Sequence, residues 1–232
     1  MEKTENIQQI IDYIKTYDLQ QYMNTNLAEI AELISFERND YLVEAGIPSI
    51  YLYFLVRGKI ICSSFTTNDK SECIAYHQAV TIVGEAASFW NMPPAANVKA
   101  LSRCTCIAIN LNRYRHVLLS DLRFLQNICK TMACRINHDG QTCTTLIEPL
   151  DMRLAKFMLA YSNDSIFTFQ LTDCADILNT SYRHLLRMLK KFTMEKLVLK
   201  NRHGYLISDS IRMQQIADGE STLSSGGSSY LP

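Results

Sequence analysis

Long hydrophobic runs are missing from this 232-residue chain: no stretch of about 18 apolar residues occurs, so no transmembrane helix is expected. The opening "MEKTENIQQI" has no apolar h-region, so a secretory signal is not expected either, and the expected location is the cytoplasm. None of the eight cysteines precedes Cys62, and no two form a C-x-x-C pair, so a zinc site is not signalled. In a reducing compartment most should be small core hydrophobes rather than disulfides. The chain also has no P-loop, no G-x-S-x-G, no H-E-x-x-H and no Rossmann fingerprint. Its five histidines (His77, His116, His138, His184 and His203) are scattered, with no paired base and nucleophile. An enzyme is therefore not expected.

Net charge is absent too, because 23 Lys/Arg balance 23 Asp/Glu. That balance hides an asymmetry. Residues 1–50 hold nine acids against three bases, whereas residues 171–212 hold eight Lys/Arg against four Asp/Glu. One end is suited to an anionic partner.

The hydrophobic share of 47% is enough for a real core. Ile7, Ile10, Ile11 and Ile14 approach the helical i, i+3, i+4, i+7 pattern, and the first thirty-five residues read as helices. From Phe36 to about Ile109 the pattern changes to short β-branched and aromatic runs such as "YLYFLVRGKIICSSF" and "NVKALSRCTCIAIN", separated by turn formers. Such strands at near-regular spacing imply a compact all-β barrel or sandwich. After Asn110 apolar positions recur at Leu118, Leu122, Leu125, Ile128, Met132 and Ile136, the gaps of a long amphipathic helix. A second copy of the chain, or the β domain itself, would cover that stripe. Pro149 ends or kinks the helix, and "LDMRLAKFMLAYS" restarts it. The Gly/Ser-rich end, "DGESTLSSGGSSYLP", reads as a floppy tail.

The segment "TDCADILNTSYRHLLRMLKKF" carries the chemistry. Thr172 and Ser181 are placed as N-caps of two short helices joined by "LNTS", which is helix-turn-helix geometry. On the second helix Leu185, Leu186, Leu189 and Phe192 are expected to face inward. Arg183, Arg187, Lys190 and Lys191 follow i, i+4, i+7, i+8 on the other side. A solvated charged face usually mixes signs, but no acid occurs from Leu178 to Met194. The alternative is a recognition helix in the major groove of double-stranded DNA. Tyr182, Arg183 and Arg187 would then read base edges, arginine fitting guanine O6 and N7 in a bidentate way. Lys190 and Lys191 suit phosphates, as do Thr172 and Ser181 at helix N-termini. The hairpin "LVLKNRHGYLI" offers Lys200, Arg202 and His203 as a wing over the backbone.

This order of parts resembles the CRP/FNR family of bacterial transcription factors over about residues 30–210. "YLVEAGIPSIYLYFLVRGKIICSS", with Gly46 and Gly58, is similar to the family's opening strands, and "IVGEAASF" to its Gly-Glu segment, here Gly84-Glu85. "TSYRHLLRMLKKF" is similar to the YeiL-like branch. The resemblance implies an α+β chain in five parts. These are an N-terminal helical segment (1–30), a cyclic-nucleotide-binding-like β-roll of jelly-roll type (31–110), a long dimerisation helix (111–148), a winged helix-turn-helix (149–212) and a flexible tail (213–232). It also implies a homodimer through the long helix, a two-fold symmetric DNA site and contact with RNA polymerase.

The signal sensed is less legible. The resemblance makes Gly84 and Glu85 the candidate effector pocket, Glu85 being placed to hold a ribose hydroxyl. Cyclic-nucleotide members hold the phosphate with an Arg-Ser pair, whose places here fall to Pro94 and Ala95, so cyclic AMP is not expected. No cofactor is expected. An iron–sulfur cluster on Cys62, Cys73, Cys104 and Cys106, or a thiol redox switch among them, stays open as an alternative. A β-roll protein that binds a ligand without acting through DNA is the rival reading of the whole chain.

Overall fold

The computed structural model describes residues 2–4, 6–65, 71–202 and 204–223, the side chains of 2–4, 65 and 138–147 excepted. The chain divides into two compact units, residues 1–140 and 141–232.

The first unit opens with β1 (Glu2–Thr4), α1 (Ile7–Thr16) and α2 (Leu27–Ile30). Eight strands follow: β2 (Ala31–Phe36), β3 (Tyr41–Val43), β4 (Tyr51–Arg57), β5 (Lys59–Phe65), β6 (Ser71–Gln78), β7 (Thr81–Val83), β8 (Asn97–Ala100) and β9 (Cys104–Asn110). They form two sheets, in the orders β1-β2-β9-β4-β7 and β3-β8-β5-β6, antiparallel throughout. This is the β-roll. Ile34, Phe36, Tyr53, Leu55, Ile60, Val98, Cys104 and Cys106 belong to one core cluster. The alternate residues of the five-stranded sheet, Leu33, Leu52, Phe54, Ile107 and Ile109, cluster instead with Ile10, Ile14, Leu118, Phe124 and Ile128. Strands β4 and β9 are thus buried on both faces, which is why "YLYFLV" and "CIAI" are continuously apolar rather than alternating.

Two expectations change here. The N-terminal segment is not wholly helical, because Glu2–Thr4 pairs antiparallel with Leu33–Ser35 and β2 already begins at Ala31. The long helix is divided into α3 (Leu111–Ser120) and α4 (Leu122–Ile147). The cause is Asp121, whose backbone is extended at φ −89°, ψ 98°. Its carboxylate accepts the Phe124 N–H at 3.1 Å, capping α4, and the Asn24 and Thr25 N–H groups at 2.7 and 2.8 Å. One aspartate therefore starts α4 and ties it to the segment between α1 and α2.

The stripe read as a single face is split between two. Phe124 and Ile128 are buried in the roll's outer cluster, and Leu125 and Met132 pack against it. Leu122 and Ile136 stand 66% and 71% exposed, with Cys129 exposed midway between them.

In the second unit, α4 is followed by Pro149 ahead of α5 (Leu150–Tyr161), where its missing N–H leaves no helical bond unmade. The unit continues with β10 (Ile166–Phe167), α6 (Leu171–Ile177), α7 (Tyr182–Met194), β11 (Val198–Lys200), β12 (Tyr205–Ile207) and α8 (Ser210–Ala217). The sheet order is β10-β12-β11. Leu154, Met158, Phe167, Cys174, Leu185, Leu189, Phe192, Met213 and Ile216 form its core. Residues 213–217, expected to belong to the tail, are helical. Asp209 caps α8 by accepting the Arg212 N–H at 2.9 Å, and Met213, Ile216 and Ala217 bury one face of that helix. Residues 224–232 lie outside the described residues. Among the described residues no helix is long and apolar enough to cross a membrane.

Candidate nucleic-acid interface and effector pocket

Helices α6 and α7 meet through the tight turn Leu178–Ser181. Asn179 turns the chain in the left-handed region (φ 46°), and the Thr180 N–H reaches back to the Ala175 carbonyl at 3.0 Å. The Arg153 guanidinium of α5 donates to the Leu178 carbonyl, holding the turn from beneath. Ser181 is the N-cap as expected, its hydroxyl accepting the His184 N–H at 3.2 Å. Thr172 is not a cap. It is the second residue of α6, exposed, and the cap position is taken by Gln170 without a side-chain bond.

Leu185, Leu189 and Phe192 bury the inner face of α7. Tyr182, Arg183, Arg187, Lys190 and Lys191 are exposed. Leu186 departs from its expected inward position. At about 100° per residue it stands beside Arg183 and Lys190, one turn on either side, and it is 39% exposed. The inner face is one residue wide at that level, because Leu185 already fills it.

The end of α7 is fixed by the Arg212–Glu195 ion pair and by the Leu197 N–H, which donates to the Phe192 carbonyl at 2.9 Å. The wing follows directly. Lys200 and Arg202 are exposed at its tip, while His203 lies outside the described residues. Gly204 makes the hairpin possible. Its φ is +149°, and a Cβ there would sit 2.1 Å from the Phe167 carbonyl oxygen of the adjoining strand. Among the described residues, none of Arg183, Arg187, Lys190, Lys191, Lys200 or Arg202 forms an ion pair. Six cations without internal partners surround one helix and its wing, and an anionic partner would neutralise them.

The Gly84-Glu85 segment is arranged differently from a vacant pocket. Gly84 turns the chain at φ +96°, and Glu85 is only 3% exposed. Its carboxylate is taken by the Arg135 guanidinium of α4, which also donates to Thr81 Oγ1 at 3.0 Å and to the Ile82 carbonyl at 2.7 Å. Burial raises the Glu85 pKa, and Arg135 opposes that rise. Arg115 of α3 grips the next residues, donating to the Phe89 and Ser88 carbonyls at 2.9 and 3.1 Å. Pro94 is buried and Ala95 exposed; neither can act as a guanidinium or hydroxyl toward a phosphate. Sequence reasoning missed both arginines. The signal for Arg135 was present, since it stands seven residues after Ile128, on the side of α4 that packs against the roll.

The four roll cysteines do not form a ligand set. Cys104 and Cys106 are buried in the inter-sheet core, and burial raises the thiol pKa of both, Cys106 well above the ordinary value. Cys73 is buried and Cys62 half-buried on neighbouring strands, where Cys73 pairs in register with Ser63 rather than with Cys62. Among the described residues no three His, Cys, Asp or Glu side chains are placed to hold a metal ion. Apolar burial disfavours the thiolate that either a cluster or a redox switch requires.

Residues 33–121 match the cyclic nucleotide-binding domain family. The chain is 29% identical over 195 residues to regulatory protein YeiL of Escherichia coli O157:H7, covering 83% of this chain and 89% of that protein. Its fold superimposes on FixK2 from Bradyrhizobium japonicum with a TM-score of 0.69 at 13% identity, covering 81% of this chain and 97% of that one. A CRP-family transcriptional regulator from Thermus thermophilus gives a TM-score of 0.67 at 14% identity, covering 82% and 98%. Residues 33–121 are therefore similar to a cyclic nucleotide-binding domain, and the chain is similar to regulatory protein YeiL over most of its length, with the fold of the CRP/FNR transcriptional regulators.

Proposed function

We propose that this chain is a sequence-specific DNA-binding transcriptional regulator, acting in the cytoplasm as a homodimer on a two-fold symmetric operator. One observation carries the reading: α7 buries one face in its own unit and presents unpaired cations on the other. In the major groove, Tyr182, Arg183 and Arg187 would meet base edges, while Lys190, Lys191, Ser181, Thr172 and the wing residues Lys200 and Arg202 would meet phosphates. His203 is offered for the same role on its place in the wing sequence.

The exposed seam of α4 supports the dimer. Leu122, Cys129 and Ile136 recur every seven residues, the spacing by which a second copy of the helix would bury them. Two recognition helices related by a dyad would then enter grooves roughly 34–36 Å apart. Contact with RNA polymerase is part of the same proposal, by likeness to the family. The roll's Glu85 is engaged by Arg135, which favours a regulator that does not depend on a cyclic nucleotide over one that does.

A paired measurement tests the DNA reading. Arg183→Ala should lower affinity for the operator by about 1–3 kcal/mol and relax specificity at one base position. Lys191→Ala should weaken all sequences alike and reduce the salt slope by about 1. Wild-type affinity in both variants would refute the assignment and favour a ligand-binding protein that does not act through DNA.

A further inference from the structure

Leu186 belongs neither to the core of its own unit nor to the partly buried residues packed against that core. The core beneath α7 is made by Leu185, Leu189 and Phe192 with Met188 against it, and Leu186 is not part of that cluster. A single exposed leucine ordinarily means nothing. The position of this one is what matters. It lies on the flank of α7, with Tyr182 and Arg183 one turn before it and Lys190 one turn after, so it borders the cationic patch where that patch meets the buried face. If this face enters a major groove, Leu186 enters with it.

The chemistry then narrows sharply. Guanine presents acceptors in the major groove, cytosine a donor, and adenine one of each. Thymine alone adds an apolar group, the C5-methyl. A leucine has no hydrogen-bonding atom in its side chain. Against guanine, cytosine or adenine it would strip water from polar edges and return nothing. Against thymine it would bury a methyl group. We propose that Leu186 is a specificity-determining residue that selects thymine through its C5-methyl at one position of each operator half-site. This inference rests on the DNA-binding reading above. Arg183 and Arg187 would read guanine by hydrogen bonds, and Leu186 would read thymine by an apolar contact beside them.

The test uses the full-length protein and the operator it selects from a random duplex library. Each thymine of the half-site is replaced in turn by deoxyuridine, which removes the methyl and leaves the Watson–Crick edge intact. Affinity is measured at fixed, near-physiological salt for wild type, Leu186→Ala and Leu186→Met. For wild type, one thymine per half-site should show a loss of about fourfold on methyl removal, the value of one buried methyl group. Leu186→Ala should show no loss there, and Leu186→Met should retain it. Replacing that thymine by cytosine should weaken wild-type binding, and 5-methylcytosine should restore part of it. The non-specific salt slope should be the same in all three proteins, because Leu186 carries no charge. An operator bound with equal affinity whether or not any thymine carries its methyl would overturn the inference while leaving the DNA reading standing. So would a methyl effect of equal size in Leu186→Ala. Absence of any salt-dependent DNA binding would overturn both.

Discussion

Replacing Arg135 by methionine removes the only cation that contacts Glu85 among the described residues, and leaves a carboxylate that is 3% exposed. An uncompensated buried charge would cost more than neutralising it, so Glu85 in the variant takes up a proton instead. The cost is then capped by the work of protonating a glutamate at the working pH. From an ordinary glutamate value of about 4.3, that work is roughly 3–4 kcal/mol at pH 7 and roughly 1 kcal/mol at pH 5. The lost hydrogen bonds to Thr81 Oγ1 and the Ile82 carbonyl add a pH-independent loss of about 1 kcal/mol each. The sign follows from linkage. A carboxyl whose folded pKa is raised leaves the unfolded chain with fewer protons, so stability falls as pH rises above the unfolded value. Burial already raises Glu85 in the wild type, and losing Arg135 extends that fall to higher pH. The stability difference between wild type and Arg135→Met should therefore widen by about 2 kcal/mol between pH 5 and pH 7. Urea unfolding followed by Trp90 fluorescence reads this directly, because Trp90 is the chain's single tryptophan and belongs to the roll. A difference that stays constant with pH would show that Glu85 is solvated or that its charge is not held by Arg135.

Three further outcomes follow from the same geometry. Asp121→Ala should destabilise the first unit by about 1–2 kcal/mol, measured by urea unfolding, because it removes the α4 cap and its bonds to Asn24 and Thr25. Burial works against the charge of Asp121, but hydrogen bonds from Thr25, Phe124 and Asn24 outweigh it and hold its carboxyl below the usual range. Its contribution should thus be present at neutral pH and be lost as pH falls through that lowered value. Gly204→Ala should cost about 1–3 kcal/mol in the second unit, read by thermal unfolding, since its Cβ meets the Phe167 carbonyl oxygen. Maleimide labelling of the native protein should reach the exposed Cys134 well before Cys104, Cys106 and Cys174, whose thiols are buried and whose pKa values burial raises, that of Cys174 to about 12.

The layout of strands and helices was legible because its signals are local. Short apolar runs, the "LNTS" turn and the Ser181 cap each depend on a few adjacent residues. What escaped depends on partners far along the chain. Asp121 breaks the long helix because Asn24 and Thr25 meet its carboxylate from almost a hundred residues away. Thr172 looked like a cap because threonine favours that position, yet α6 begins one residue earlier, at Leu171. The i, i+1, i+4, i+7 spacing of Leu185, Leu186, Leu189 and Phe192 includes one apolar residue too many, because Leu185, Leu189 and Phe192 already complete the inner face. The helix at Ser210–Ala217 was lost in a tail whose Gly/Ser content belongs to residues further on. At the candidate effector pocket, the departure at Pro94 and Ala95 was readable in the sequence. The heptad spacing from Ile128 put Arg135 on the face of α4 that meets the roll, but its pairing with Glu85, fifty residues away, was not readable.

The central claim is that α7 reads DNA as half of a symmetric pair. The most direct measurement offers purified protein a random duplex library at near-physiological salt, in air and again under strict anaerobiosis. The account predicts enrichment of a two-fold symmetric motif with half-sites about one helical turn apart. It also predicts the same motif in both atmospheres, because the roll's buried cysteines are poor redox sensors. Enrichment in one atmosphere only would contradict the reading of the cysteines. No enrichment in either, together with no salt-dependent binding to non-specific duplex, would contradict the reading of α7 itself.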